Sequence, residues 1–175
     1  MKKNIRKLTF SAMALALCFV LPFVTGNIPA VGNMLSPMHL PVMILGFLCG
    51  WPYGVAVGFI APLLRSLTLV MPPILNAIPM AFELATYGAV CGILYKVFPK
   101  KLGWLYVELA IAMLCGRAVW GIARWITLGL NGQGFTMAAF WAGAFINAWP
   151  AIVLQFVLIP PIIEALRRAK LVANE

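Results

Sequence analysis

Apolar residues run in long blocks along this chain, broken by short stretches rich in Gly, Pro, Asn or basic residues. A helix needs about twenty apolar residues to cross the hydrocarbon layer of a bilayer. Residues 8–25 give a first span, and residues 26–37 (GNIPAVGNMLSP) read as a loop. Residues 38–50 form a short apolar piece that needs part of the preceding loop to cross. Trp51-Pro52-Tyr53-Gly54 reads as a tight turn. Residues 55–70 form a third span, ended by Met71-Pro72-Pro73 because proline cannot continue a helix. Residues 75–95 form a fourth. Residues 103–129 form a fifth, followed by the Gly-rich loop Asn131-Gly132-Gln133-Gly134. Residues 137–163 form the sixth and carry Pro150 and Pro160-Pro161. The pattern predicts an all-α polytopic membrane bundle of six transmembrane helices, with residues 1–175 as a single integral membrane domain.

Composition strengthens this reading. Of 175 residues, 63% are hydrophobic and 10% are charged. A soluble domain carries about 25% charged residues on its wet surface. The acidic residues are four Glu with no Asp, against thirteen Lys and Arg, a net charge of +9. The basic residues cluster at Lys2, Lys3, Arg6 and Lys7, at Lys96, Lys100 and Lys101, and at Arg167, Arg168 and Lys170. Basic residues beside spans mark the cytoplasmic side. Six spans place all three clusters there, N-in and C-in, whereas five or seven would not. The charge is read as an orientation signal rather than a nucleic-acid surface. Residues 1–25 share a basic start and apolar stretch with secretory signals. Their small-x-small cleavage pattern is poor, so an uncleaved first span is expected.

Small residues recur at helical spacing. Gly46, Gly50, Gly54 and Gly58 fall four apart, as do Ala77, Ala81, Ala85 and Ala89, and Ala12 and Ala16 form a notch in the first span. Such spacing lets another backbone approach, usually within the same molecule. Cys18, Cys49, Cys91 and Cys115 lie in apolar runs without CxxC or His–Cys spacing. They read as packing residues, and no metal site or cofactor is implied.

Charged side chains in spans are costly and face a cavity or a partner. Arg65, Glu83, Arg117 and Arg124 are such residues, and Asn147 and Gln155 add polar groups to the last span. His39 opens the second span. By helix rise, Arg65, Glu83, Arg117, Arg124, Asn147 and His39 are expected to converge in the outer half of the membrane. Arg117 and Arg124 are seven apart and share a face, with Trp120 near it. Three Arg against Glu83 leave positive charge over, which argues for an anionic ligand such as pantothenate over a neutral vitamin. Snorkelling of Arg65 or Arg124, and simple pairing of Glu83, is the competing reading.

The chain has no GxxxxGK[ST] phosphate loop, HExxH or GxSxG. An ATPase of its own is not recognisable, and an intramembrane hydrolase is poorly supported. It is read as a non-enzyme that borrows an engine.

The stretch HLPVMILGFLCGWPYGVAVGFIAPLLRS at 39–66, MPP at 71–73 and PMAFELATYG at 79–88 resemble the substrate-binding S components of energy-coupling factor (ECF) transporters. The resemblance implies a vitamin-binding subunit in a prokaryotic cell membrane. It would work with a transmembrane coupling subunit and two cytoplasmic ATPases. It maps the coupling-subunit dock to Ala12 and Ala16. The ligand site would lie toward the outside between the later helices, capped by loops at 26–38 and 70–75. Two other classes remain open: a self-sufficient secondary transporter or channel, and a structural subunit or membrane enzyme.

Overall fold

The computed structural model describes residues 2–24 and 35–172, and among them regular structure is helical throughout. The helices are α1 (Lys2–Val24), α2 (His39–Cys49), α3 (Trp51–Leu69), α4 (Ile74–Val97) and α5 (Leu102–Leu130). They are followed by α6 (Met137–Trp141), a π-helical turn (Ala142–Ile146) and α7 (Trp149–Arg168). The last three form one apolar segment, Met137–Arg168, and with α1, α3, α4 and α5 make five helices long and apolar enough to cross a membrane. The sixth expected span is α2. Its 11 residues reach only about 16 Å at the rise of an α-helix. Most of the loop expected at 26–37 lies outside the described residues.

Helix α2 is the centre of the bundle. Val42, Met43, Leu45 and Phe47 are all buried, and α1, α3, α4 and α7 pack around it. Its shortness and its burial share a cause. A helix hydrophobic on every side can sit in a core without facing lipid.

The expected turn at Trp51–Gly54 is instead the first turn of α3. Pro52 occupies an early helix position, where no amide hydrogen is needed. The chain reverses at Gly50 alone, at φ 94°, a conformation open to glycine because it has no Cβ.

Helices α3 and α4 run antiparallel along a seam of small residues. Gly58 faces Leu84, Gly54 faces Gly88, and Gly92 faces Gly50 and Trp51. A Cβ on Gly88 would lie 2.3 Å from the carbonyl carbon of Gly54, and one on Gly46 of α2 would lie 2.7 Å from the carbonyl oxygen of Gly88. The glycine series therefore serves packing within the subunit, where three backbones meet at Gly88. Ala77 and Ala81 continue this buried face toward the start of α4.

The basic clusters gather at one end of the bundle. The Arg6 guanidinium donates to the Lys170 carbonyl at 2.9 Å. Arg167 donates to the Lys100 carbonyl. The start of α1, the α4–α5 turn and the end of α7 thus share one end. Three cysteines are buried as expected of packing residues, but Cys115 lies on an exposed face.

Candidate functional site

Glu83 is the hub of a buried polar network. It sits on α4, 2% exposed. Arg117 of α5 reaches across, with Nη1 2.9 Å from Glu83 Oε1. The Tyr87 hydroxyl, one turn along α4, donates to the same oxygen at 2.8 Å. His39, at the start of α2, places Nε2 3.5 Å from it. The His39 and Tyr87 rings lie 5.4 Å apart. The antiparallel packing of α4 and α5 sets this geometry. Gly116 lies directly against the Tyr87 ring, so the helices come close enough for Arg117 to span the gap.

Beside the network is a cavity of about 250 Å³ between α5, the π-helical turn and α7. Tyr87, Arg117 and Gln155 form its polar border, and Met113, Phe145 and Phe156 are among its apolar walls. Phe145 comes from the π-helical turn, a distortion that recurs at functional sites. Gln155 is 2% exposed, and its amide nitrogen has no hydrogen-bond partner. A larger groove of about 450 Å³ lies between the later part of α5 and α6, walled by Trp125, Phe135 and Phe140. Apart from the indole N–H of Trp125, the polar side chain among its described lining residues is Thr136. Of these two, the smaller cavity is the candidate site because it touches the buried network.

Of the residues read from sequence, the structure brings His39, Glu83 and Arg117 together. It places the others elsewhere. Arg65 is buried and donates to the Phe19 carbonyl of α1 at 2.6 Å, with its guanidinium over the Phe23 ring. Arg124 donates to the Asn76 side chain and to the Leu75 carbonyl at 3.3 Å. That carbonyl would normally accept from residue 79, which is a proline without an amide hydrogen. Trp120 is half-buried against Phe135 and Phe140, with Gly143 at its ring edge. Asn147 is exposed where the π-helical turn ends. The shared face of Arg117 and Arg124 is real, but it addresses two partners seven apart on α4, Glu83 and Asn76.

The sequence reading missed Tyr87 as a network member and left Glu108 out of the charge balance. Glu108 is buried in α5, and its Oε2 has no hydrogen-bond partner. The signal for Tyr87 was available: it lies four residues after Glu83, on the same helix face. Ala12 and Ala16 lie on the exposed face of α1, opposite Ala14 and Cys18, which pack inward. Among the described residues no three His, Cys, Asp or Glu side chains gather.

No curated protein and no solved structure matches the chain. Residues 6–163 match the family described as ECF transporter, substrate-specific component. Proteins of this family are membrane subunits that bind small-molecule substrates and work with membrane and ATPase partners. The match takes in all the residues that form the buried network and line the cavity, and the chain belongs to the substrate-specific components of ECF transporters.

Proposed function

We propose that this subunit captures a small water-soluble vitamin or related metabolite outside a prokaryotic cell, in the cavity beside Arg117 and Gln155. A transmembrane coupling subunit and two cytoplasmic ATPases then drive its uptake. The observation that carries the reading is the meeting of a cavity with buried polar groups in the interior of a family member. Buried polar groups require partners, and polar groups converging on an aromatic-walled cavity mark a ligand site.

Arg117 is the direct contact in this proposal. Glu83 and His39 position it from behind, and Tyr87 borders both network and ligand. Arg65 and Arg124 act at a distance, by tying α3 to α1 and α5 to the start of α4. Trp120 and Asn147 flank the segment that carries Phe145. The six-span arrangement, N-in and C-in, belongs to the proposal and agrees with the basic clusters sharing one end. Ala12 and Ala16 dock the coupling subunit through their exposed, small-residue face.

The test is native mass spectrometry of the purified protein, read for a bound metabolite. Wild type is expected to carry one. Ala110→Phe, which fills the cavity from its α5 wall, is expected to lose it while remaining folded. A folded Ala110→Phe protein that retains the metabolite would place the ligand elsewhere.

A further inference from the structure

We propose that the ligand of this cavity carries no net charge and offers a hydrogen-bond acceptor to the Gln155 amide. This rests on the binding role proposed above for the same cavity and assigns its substrate class.

The argument begins with the charges that face the cavity. Arg117 is the cationic side chain that borders it. Its positive charge is already matched by Glu83 at 2.9 Å, and both side chains are withdrawn from solvent, at 9% and 2% exposure. Tyr87 donates its hydroxyl hydrogen to Glu83. Arg65 and Arg124, which the composition offered as further cations, are engaged with Phe19 and with Leu75 and Asn76. The cavity therefore meets a neutral pair, not a surplus of positive charge. A carboxylate entering it would lose its hydration and find the guanidinium already shared. Burying such a charge without its own counter-ion is strongly unfavourable.

Two features define what the site does accept. The first is Gln155, which borders the cavity and whose amide nitrogen is buried and unpartnered. Such a donor is satisfied by a carbonyl oxygen or an unprotonated ring nitrogen. Arg117 can add donors from guanidinium positions not directed at Glu83, since it carries five N–H groups. The second is the aromatic wall of Phe145 and Phe156, which favours a flat, apolar ring. The volume of about 250 Å³ falls below the usual ligand-site range of about 300–1,000 Å³, so the ligand is compact. A small amide-bearing or heteroaromatic molecule meets these conditions. Gln155 is then the residue that determines specificity.

The test uses the purified full-length protein in detergent and the small-molecule pool of a bacterial extract. The pool is separated at pH 7 on strong anion and cation exchangers into anionic, cationic and uncharged fractions. Binding is read by equilibrium dialysis with mass spectrometry. Wild type is expected to retain a component of the uncharged fraction. Gln155→Met, similar in length but without the donor, is expected to weaken that binding about tenfold, the scale of one neutral hydrogen bond. Glu83→Gln leaves Arg117 unbalanced and is expected to shift retention toward the anionic fraction. Retention of an anionic component by wild type overturns the substrate class while leaving the binding function standing. Uncharged ligand bound equally by wild type and folded Gln155→Met overturns the role of Gln155. Retention from no fraction, together with no copurifying metabolite, removes the binding function and the inference with it. If Gln155→Met does not fold, the wild-type fraction result alone decides the charge class.

Discussion

Replacing one member of the Glu83–Arg117 pair should destabilise the bundle far more than its separate parts suggest. The Nη1–Oε1 distance is 2.9 Å, for which Coulomb's law gives about 6 kcal/mol at an effective dielectric of about 20. Desolvation of both ions offsets much of that, so the pair itself contributes modestly. Removing one partner is different, because the other is left buried and uncompensated. Glu83→Gln keeps the side-chain shape and a hydrogen-bonding oxygen for Tyr87, yet leaves Arg117 without its counter-ion. Arg117→Met does the converse. Each should cost about 3–5 kcal/mol, the scale for breaking a buried pair. The double variant removes both charges and should cost less than the sum of the singles by about 2 kcal/mol or more. The assay is reversible unfolding of the reconstituted protein by denaturing detergent, followed by Trp fluorescence. Additive single and double costs would refute the claim that these residues act as one pair.

Leu at Ala12 or Ala16 should weaken assembly with the coupling subunit, measured by co-purification, while the solitary subunit still binds ligand. Normal assembly by both variants would leave the alanines without a docking role. Gly88→Ala should destabilise by about 1–3 kcal/mol or more through overpacking, because its new methyl would sit 2.3 Å from the Gly54 carbonyl carbon; the same unfolding assay reads it. Reporter fusions at Lys101 and at Glu175 should both report cytoplasm, and an external C-terminus would end the six-span, N-in arrangement.

The long apolar helices were legible because lipid imposes one strong rule: every backbone polar group must be satisfied within the segment, so long apolar blocks become helices. The boundaries followed less well where local chemistry has two uses. Pro52 reads as a turn residue, yet proline also suits the first turn of a helix. Only the backbone shows that Gly50 takes the reversal. The last span shows a similar limit. Its apolar run gives no sign of the π-helical turn at Ala142–Ile146, because hydropathy does not distinguish one helical hydrogen-bond pattern from another.

The polar residues were legible as exceptions to hydropathy, but their grouping was not. Depth alone put Arg65, Glu83, Arg117, Arg124 and Asn147 at similar levels, and depth leaves the direction around each helix axis undetermined. Packing supplies that direction. The glycine seam fixes how α4 turns against α3, which aims Glu83 at α5, and Arg117 answers it. Arg124, two turns further along the same face, meets Asn76 and the carbonyl left free by Pro79. Arg65 turns to α1 instead. Counting charges set three arginines against one glutamate, whereas in the fold each of these arginines has a partner that the count does not reveal. Gln155 shows the opposite case. A single amide in an apolar helix carries little weight in a charge count, yet Gln155 borders the cavity and its buried nitrogen has no hydrogen-bond partner.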